Sequence, residues 1–185
     1  MTRKPLLVLG AGAWGTALAL VAARTGPVQL WSWDEAQVEQ MTRRQENHAY
    51  LPGIMFPDSL HPTADIGIAA QTRDVLIAVP CSALRETVSR VLAASRGQSR
   101  IAWACKGFDH ATCQLPSDVV QELAGTGTPL ACLSGPTFAR EVAEDLPAAI
   151  TIATNDDAFG GDLLRIFRAG RFRPYLSTDL VGVQV

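Results

Sequence analysis

Leu6-Leu7-Val8-Leu9 runs directly into Gly10-x-Gly12-x-x-Gly15, and an alanine-rich helical stretch, Thr16 to Ala23, follows at once. A short apolar strand, a glycine turn and a helix opening on that turn form the context that makes this motif a dinucleotide-binding unit rather than an ordinary turn. Each glycine has a physical reason. Gly10 permits the tight turn, Gly12 has no Cβ and lets a pyrophosphate approach the backbone, and Gly15 lets helix and strand pack closely. Ala11 lies inside the same turn. The helix start adds free N–H groups and a partial positive charge to hold phosphate.

The rest of the chain continues the alternation. Apolar runs at Val28–Trp31, Val75–Val79, Arg100–Ala104, Leu130–Leu133, Ala148–Ala153 and Phe172–Leu176 read as strands. Helical patterns fall at 34–44, 82–94, 116–124, 138–144 and 156–169, with Pro116 in the first turn of its helix. Val75–Val79 is apolar almost throughout, as expected of a strand buried on both faces. Repeated β-α-β with right-handed crossovers predicts an α/β chain: a Rossmann-type doubly wound, mostly parallel sheet with helices on both faces. Residues 45–62, rich in proline, read as an extended surface connection whose apolar residues pack it on the body. The 185 residues suit one domain, 1–185, with 48% hydrophobic and 18% charged residues.

A net charge of −2 gives no broad electrostatic drive toward nucleic acid. No apolar run approaches the roughly 18–20 residues of a membrane helix, so no membrane insertion is expected. The N-terminus has no apolar segment of signal-peptide type. Cys81, Cys105, Cys113 and Cys132 are scattered without C-x-x-C spacing, which fits reduced thiols and a cytoplasmic location rather than disulfides or a metal site.

Ligands of open α/β sheets sit beyond the C-terminal ends of the strands. Five such ends carry candidates: the glycine turn, Ser32-Trp33-Asp34, Pro80-Cys81, Cys105-Lys106-Gly107 and Ser134-Gly135-Pro136-Thr137. NAD sites usually place an acid about 20 residues past the motif, on the ribose hydroxyls. Alternation through Val28 and Leu30 puts Ser32 there instead, a residue open to NAD or NADP. Asp34 either reaches the ribose or caps the next helix, and Trp33 either covers the adenine or packs on that helix. Lys106 stands as the direct substrate candidate, its ammonium suited to a phosphate or carbonyl oxygen; the alternative is a solvated loop lysine. Gly135 allows close backbone approach, and Thr137 offers a hydroxyl or a helix cap. Cys105 is either activated by Lys106 or a buried inert thiol. His48, His61 and His110 have no ligand spacing and read as surface histidines. Neither a P-loop nor a G-x-S-x-G elbow is present.

Taken in order, Gly10–Ala17, Leu30-Trp31, Leu51-Pro52-Gly53, Ala104–Phe108 and Leu133–Glu141 closely resemble the bacterial NAD(P)-dependent sn-glycerol-3-phosphate dehydrogenases. The resemblance implies hydride transfer between a nicotinamide, NAD or NADP, and dihydroxyacetone phosphate. The product, sn-glycerol 3-phosphate, feeds phospholipid synthesis. It implies that Ala13, Trp14, Trp33 and Ala139 line the dinucleotide, that Lys106 touches cofactor and substrate, and that Gly135 and Thr137 touch the substrate. Two positions depart from the family: Ala13 replaces a frequent Ser, and Trp33 a frequent Arg or His. The resemblance also implies a catalytic general acid/base lysine and a helical second domain beyond Val185, and a homodimer for the whole enzyme. The chain is accordingly expected to be an N-terminal fragment that binds coenzyme weakly and turns over negligibly. The competing reading is a non-catalytic, NAD(P)-sensing Rossmann module.

Overall fold

The computed structural model describes residues 4–109 and 111–184. β1 (Leu6–Leu9) is buried along its whole length and leads into α1 (Ala13–Ala23). β2 (Val28–Trp31), α2 (Glu35–Arg44) and β3 (Leu60–Thr63) complete the first half. The second half runs β4 (Asp74–Ile77), α3 (Leu84–Ser95), β5 (Arg100–Trp103), α4 (Pro116–Ala124) and β6 (Leu130–Ser134). It continues with α5 (Ala139–Ala143), β7 (Ala148–Thr154), α6 (Asp157–Phe167), β8 (Phe172–Ser177) and α7 (Leu180–Gln184).

Among the described residues these strands make one eight-stranded sheet, ordered β3-β2-β1-β4-β5-β6-β7-β8. β1 to β6 are all parallel. The winding reverses between β1 and β4, which leaves a crevice at the C-terminal ends of both. Alternating side chains serve the two faces. Leu6 and Val8 join the core under α1 and α6, with Phe159, Leu163 and Phe167. Leu7 and Leu9 join the core under α3 and α4, with Val88, Val91, Val119 and Val120. This is the doubly wound, Rossmann-type fold expected from the alternation.

α1 is buried at nine residues, Gly15 to Ala23, far more than one sheet face requires. Its outer side is covered by α5 and α6. Thr25 Oγ1 donates to the Ile166 carbonyl at 2.9 Å, and Arg24 pairs with Asp145.

Two parts differ from the sequence reading. The segment 45–62 packs on the body, as its apolar content implied, with Asn47, Leu51 and Phe56 buried; the difference is that Leu60 starts a strand, β3, at the edge of the sheet. Pro62 is tolerated there because an edge strand leaves one row of backbone groups unpaired. Further on, β7 runs antiparallel to β6, and β8 parallel to β7. A continuous apolar run carries no signal of strand direction, so the reversal could not be read from Ala148–Ala153.

Candidate functional site

The glycine turn is shaped by its neighbours. Gly10 has φ +114°, and a Cβ there would lie 2.7 Å from the Ala78 carbonyl oxygen. A Cβ on Gly15 would overlap the Gly10 carbonyl oxygen and crowd the Ala78 side chain at 3.1 Å. Gly12 is different: nothing lies within 4 Å of where its Cβ would be. Two glycines are demanded by the fold, and the third keeps space open. Gly12 is also the N-cap of α1 and offers no side-chain bond, so the first-turn N–H groups remain available to a ligand. Ala11 fixes the turn from inside. Its carbonyl accepts from Asn47 Nδ2 at 2.9 Å and from Gln37 Nε2 at 2.8 Å, and Asn47 Nδ2 also reaches Thr16 Oγ1 at 2.8 Å. Neither Asn47 nor Gln37 stood out in the sequence.

A cleft of about 520 Å³ opens over this turn, bordered by Gly12, Ala13, Trp14, Pro80, Cys105 and Lys106. A hollow of about 250 Å³ adjoins it, bordered by Trp14, Lys106, Ser134, Gly135 and Thr137. Trp14, Ala104 and Lys106 border both, so Lys106 stands at their junction. A Cβ on Gly135 would meet the Ala149 carbonyl oxygen at 2.7 Å, so the glycine lets the turn that borders the smaller hollow pack closely on β7. Thr137 is not the helix cap that its position suggested; Phe138 is the N-cap of α5. The Thr137 Oγ1 atom is instead buried with no hydrogen-bond partner. Such an atom costs about 1–3 kcal/mol unless a ligand or water meets it.

The loop bearing Lys106 is anchored three residues on. Asp109, 7% exposed, accepts from Thr112 Oγ1 at 2.6 Å and lies 3.6 Å from Arg85 Nε. The Thr112 hydroxyl, and then the Arg85 guanidinium, hold its carboxyl below the usual carboxylate range. Arg85 is fixed in turn by Glu122 at 3.1 Å, so α3 and α4 both position this loop. Cys105 is buried, and that burial pushes its thiol up, which favours the buried thiol over an activated one.

At the end of β2, Ser32 is buried and its hydroxyl donates to Gln37 Oε1 at 2.6 Å. Asp34 caps α2, accepting from the N–H groups of Ala36 at 2.9 Å and Gln37 at 3.2 Å. Trp33 is 80% exposed and does not pack on that helix. Ser32, Trp33 and Ala139 border neither hollow, whereas Ala13, Trp14, Pro80, Lys106, Gly135 and Thr137 are brought together. His48 and His61 are exposed, His48 beside Glu46 at 2.9 Å; His110 lies outside the described residues.

A sequence model described as the NAD-dependent glycerol-3-phosphate dehydrogenase N-terminus matches residues 5–160. The chain belongs to that family. It is 43% identical over 98% of its length to glycerol-3-phosphate dehydrogenase [NAD(P)+] of Pasteurella multocida, and 45% identical over 98% to that of Alkalilimnicola ehrlichii. It covers 55% of each relative, so it spans about half the length of the curated relatives it matches. The glycerol-3-phosphate dehydrogenase of Coxiella burnetii superimposes with a TM-score of 0.93 at 38% identity, over 98% of this chain and 56% of that one. A UDP-glucose dehydrogenase of Pyrobaculum islandicum shares the fold alone, at 20% identity and a TM-score of 0.70. Among the described residues of this family member, no helix is long and apolar enough to cross a membrane.

Proposed function

We propose that this chain is the coenzyme-binding part of an oxidoreductase interconverting dihydroxyacetone phosphate and sn-glycerol 3-phosphate with NAD(P)H, in the service of glycerophospholipid synthesis. The observation that carries this reading is the meeting of the two hollows at Lys106. The names of the family's relatives supply the substrate class.

The residues fit a dinucleotide. The open space at Gly12 and the uncapped start of α1 suit a pyrophosphate, with Ala13, Trp14 and Pro80 along the cleft. A bound nicotinamide supplies or accepts the hydride. Lys106 holds an oxygen of the small substrate at the junction, by a charge-assisted bond worth about 1.5–3 kcal/mol. Thr137 Oγ1 turns its unpartnered bonding capacity to the same molecule, and Gly135, whose turn packs on β7, borders the hollow beside it. The proton-donating lysine that the resemblance implies is assigned to no residue of this chain. Ser32 and Gln37 offer only neutral groups at the ribose position, so the site is compatible with either NADH or NADPH. Four free cysteines accord with a reducing, cytoplasmic setting, and a homodimer is our expectation for the whole enzyme.

Fluorescence titration with NADH and NADPH tests the reading. Saturable binding is expected, weakened about tenfold or more by Lys106→Met, the equivalent of at least ~1.4 kcal/mol. Calorimetry with sn-glycerol 3-phosphate on the coenzyme-saturated chain should then show a further binding event. Coenzyme binding untouched by Lys106→Met, with no response to the phosphate ester, would favour a sensing module instead.

A further inference from the structure

A separate hollow of about 470 Å³ opens at the opposite edge of the sheet, at the N-terminal ends of β4 and β5. At about 3.3 Å per residue, the four residues of β4 put it roughly 13 Å from the coenzyme cleft. Four cationic side chains border it, Lys4, Arg73, Arg100 and Arg165, against two carboxylates, Asp74 and Asp162. Four minus two leaves an excess of two positive charges, in a chain whose net charge is −2.

Both carboxylates are already engaged. Arg100, its side chain 7% exposed, donates from Nε to Asp74 Oδ1 at 2.7 Å and from Nη2 to Oδ2 at 2.8 Å. Its Nη1 lies 2.8 Å from Asp162 Oδ2, and Arg165 pairs with the other oxygen of Asp162. The Arg100 guanidinium also stacks over the Phe159 ring, 4.5 Å from its centroid. The floor of the hollow is therefore rigid and internally neutralised. Among the described residues, Lys4 and Arg73 have no carboxylate partner, and both are exposed. Two like charges turned toward one hollow repel each other, and an anion between them relieves that repulsion.

We infer that this hollow is a second binding site, for a small multivalent phosphate-bearing anion held by Lys4, Arg73 and Arg165 over the Arg100 floor. Nothing in the coenzyme reading requires such a site. Its outer cations are solvated, so binding is weak and salt-sensitive. An occupant ties the edge of β1 and β4 to α6 and so stabilises the fold by mass action.

Inorganic diphosphate is the probe, with sodium chloride at matched ionic strength as the reference. Thermal unfolding and calorimetry are run on the 185-residue chain, on the Lys4→Ala/Arg73→Ala double variant and on Lys106→Ala. Diphosphate at ten times its Kd is expected to raise Tm by about 3–6 °C, and chloride is not. The double variant, altered only at exposed and unpaired side chains, should keep the ligand-free Tm and lose at least fivefold in affinity. In Lys106→Ala, and in the parent with its glycine turn filled by saturating NADH, the binding that the double variant loses should remain. Unchanged affinity in the double variant, an equal effect of chloride, or loss of binding in Lys106→Ala or under NADH would overturn the proposal, the last two by placing diphosphate on the glycine turn. The comparison of variants needs no coenzyme, so its outcome is independent of the coenzyme reading.

Discussion

Asn47→Ala isolates what holds the glycine turn in shape. Asn47 is 1% exposed, and its amide bridges the Ala11 carbonyl and Thr16 Oγ1 at 2.9 and 2.8 Å. Removing it leaves the Ala11 carbonyl with Gln37 Nε2 at 2.8 Å but strips the fully buried Thr16 hydroxyl of its donor. Two buried hydrogen bonds at roughly 1 kcal/mol each, plus part of the cost of an unsatisfied oxygen, give a loss of about 2–3 kcal/mol. In urea that moves the unfolding midpoint down by about 1 M, with an m-value near 2.5 kcal/mol/M. NADH affinity should fall about three- to tenfold, because one of two anchors of the turn is gone. Gln37→Ala supplies the cross-check. In the double variant the Ala11 carbonyl has no side-chain donor, so the loss should exceed the sum of the singles by about 1 kcal/mol. A midpoint shift below about 0.2 M, or strict additivity, would refute the idea that these amides hold the turn.

The three glycines should separate by assay: Gly12→Ala keeps Tm within a degree or two and abolishes NADH binding, while Gly15→Ala lowers Tm because its methyl collides with the Gly10 carbonyl. Asp34→Asn should leave the NADH-to-NADPH affinity ratio within about twofold, since Asn caps nearly as well as Asp; a large change would make Asp34 a ribose ligand after all. Glu46, Asp109, Glu122, Asp145 and Asp162 all titrate below the usual carboxylate range, Asp145 through the Arg171 N–H and then the Arg24 guanidinium. Their unfolded values lie near ~4, so the unfolded chain binds more protons just below that pH. The stability they supply is complete above about pH 5 and is lost as pH falls through their lowered native values. Urea midpoints should be level from about pH 6 to 7.5 and drop below about pH 5, less steeply in Asp145→Asn; a midpoint that rises on acidification would contradict the assignment.

Much of the site could be read from residues alone because each strand end is local in sequence. The apolar run before Gly10, the Lys106-Gly107 loop and Ser134–Thr137 each announce a strand followed by a turn, and parallel topology then gathers them on one edge. What escaped was non-local. Asn47 acts on a carbonyl 36 residues away and belongs to no periodic pattern. Thr137 matches a helix cap in sequence, but the helix starts one residue later and leaves its hydroxyl buried without a partner, on a residue that borders the hollow. β3 contains His61 and Pro62, poor strand formers that only an edge position accommodates. The basic hollow joins Lys4, Arg73, Arg100 and Arg165, four residues that only the sheet order brings together.

The covering of α1 has a consequence for synthesis. The motif that defines the coenzyme cleft is complete by residue 15, yet the helix it opens rests against α5 and α6, with Thr25 held by Ile166. On the ribosome the glycine turn emerges first, and the surface that shelters its helix is made about 120 to 150 residues later, which at ~10 residues per second is a delay of more than ten seconds. During that interval a nascent chain carries the signature of the cleft on a helix whose apolar outer face is still bare. It is in this window, rather than in the finished domain, that the alanine- and leucine-rich α1 is most open to mispairing or to capture by a chaperone.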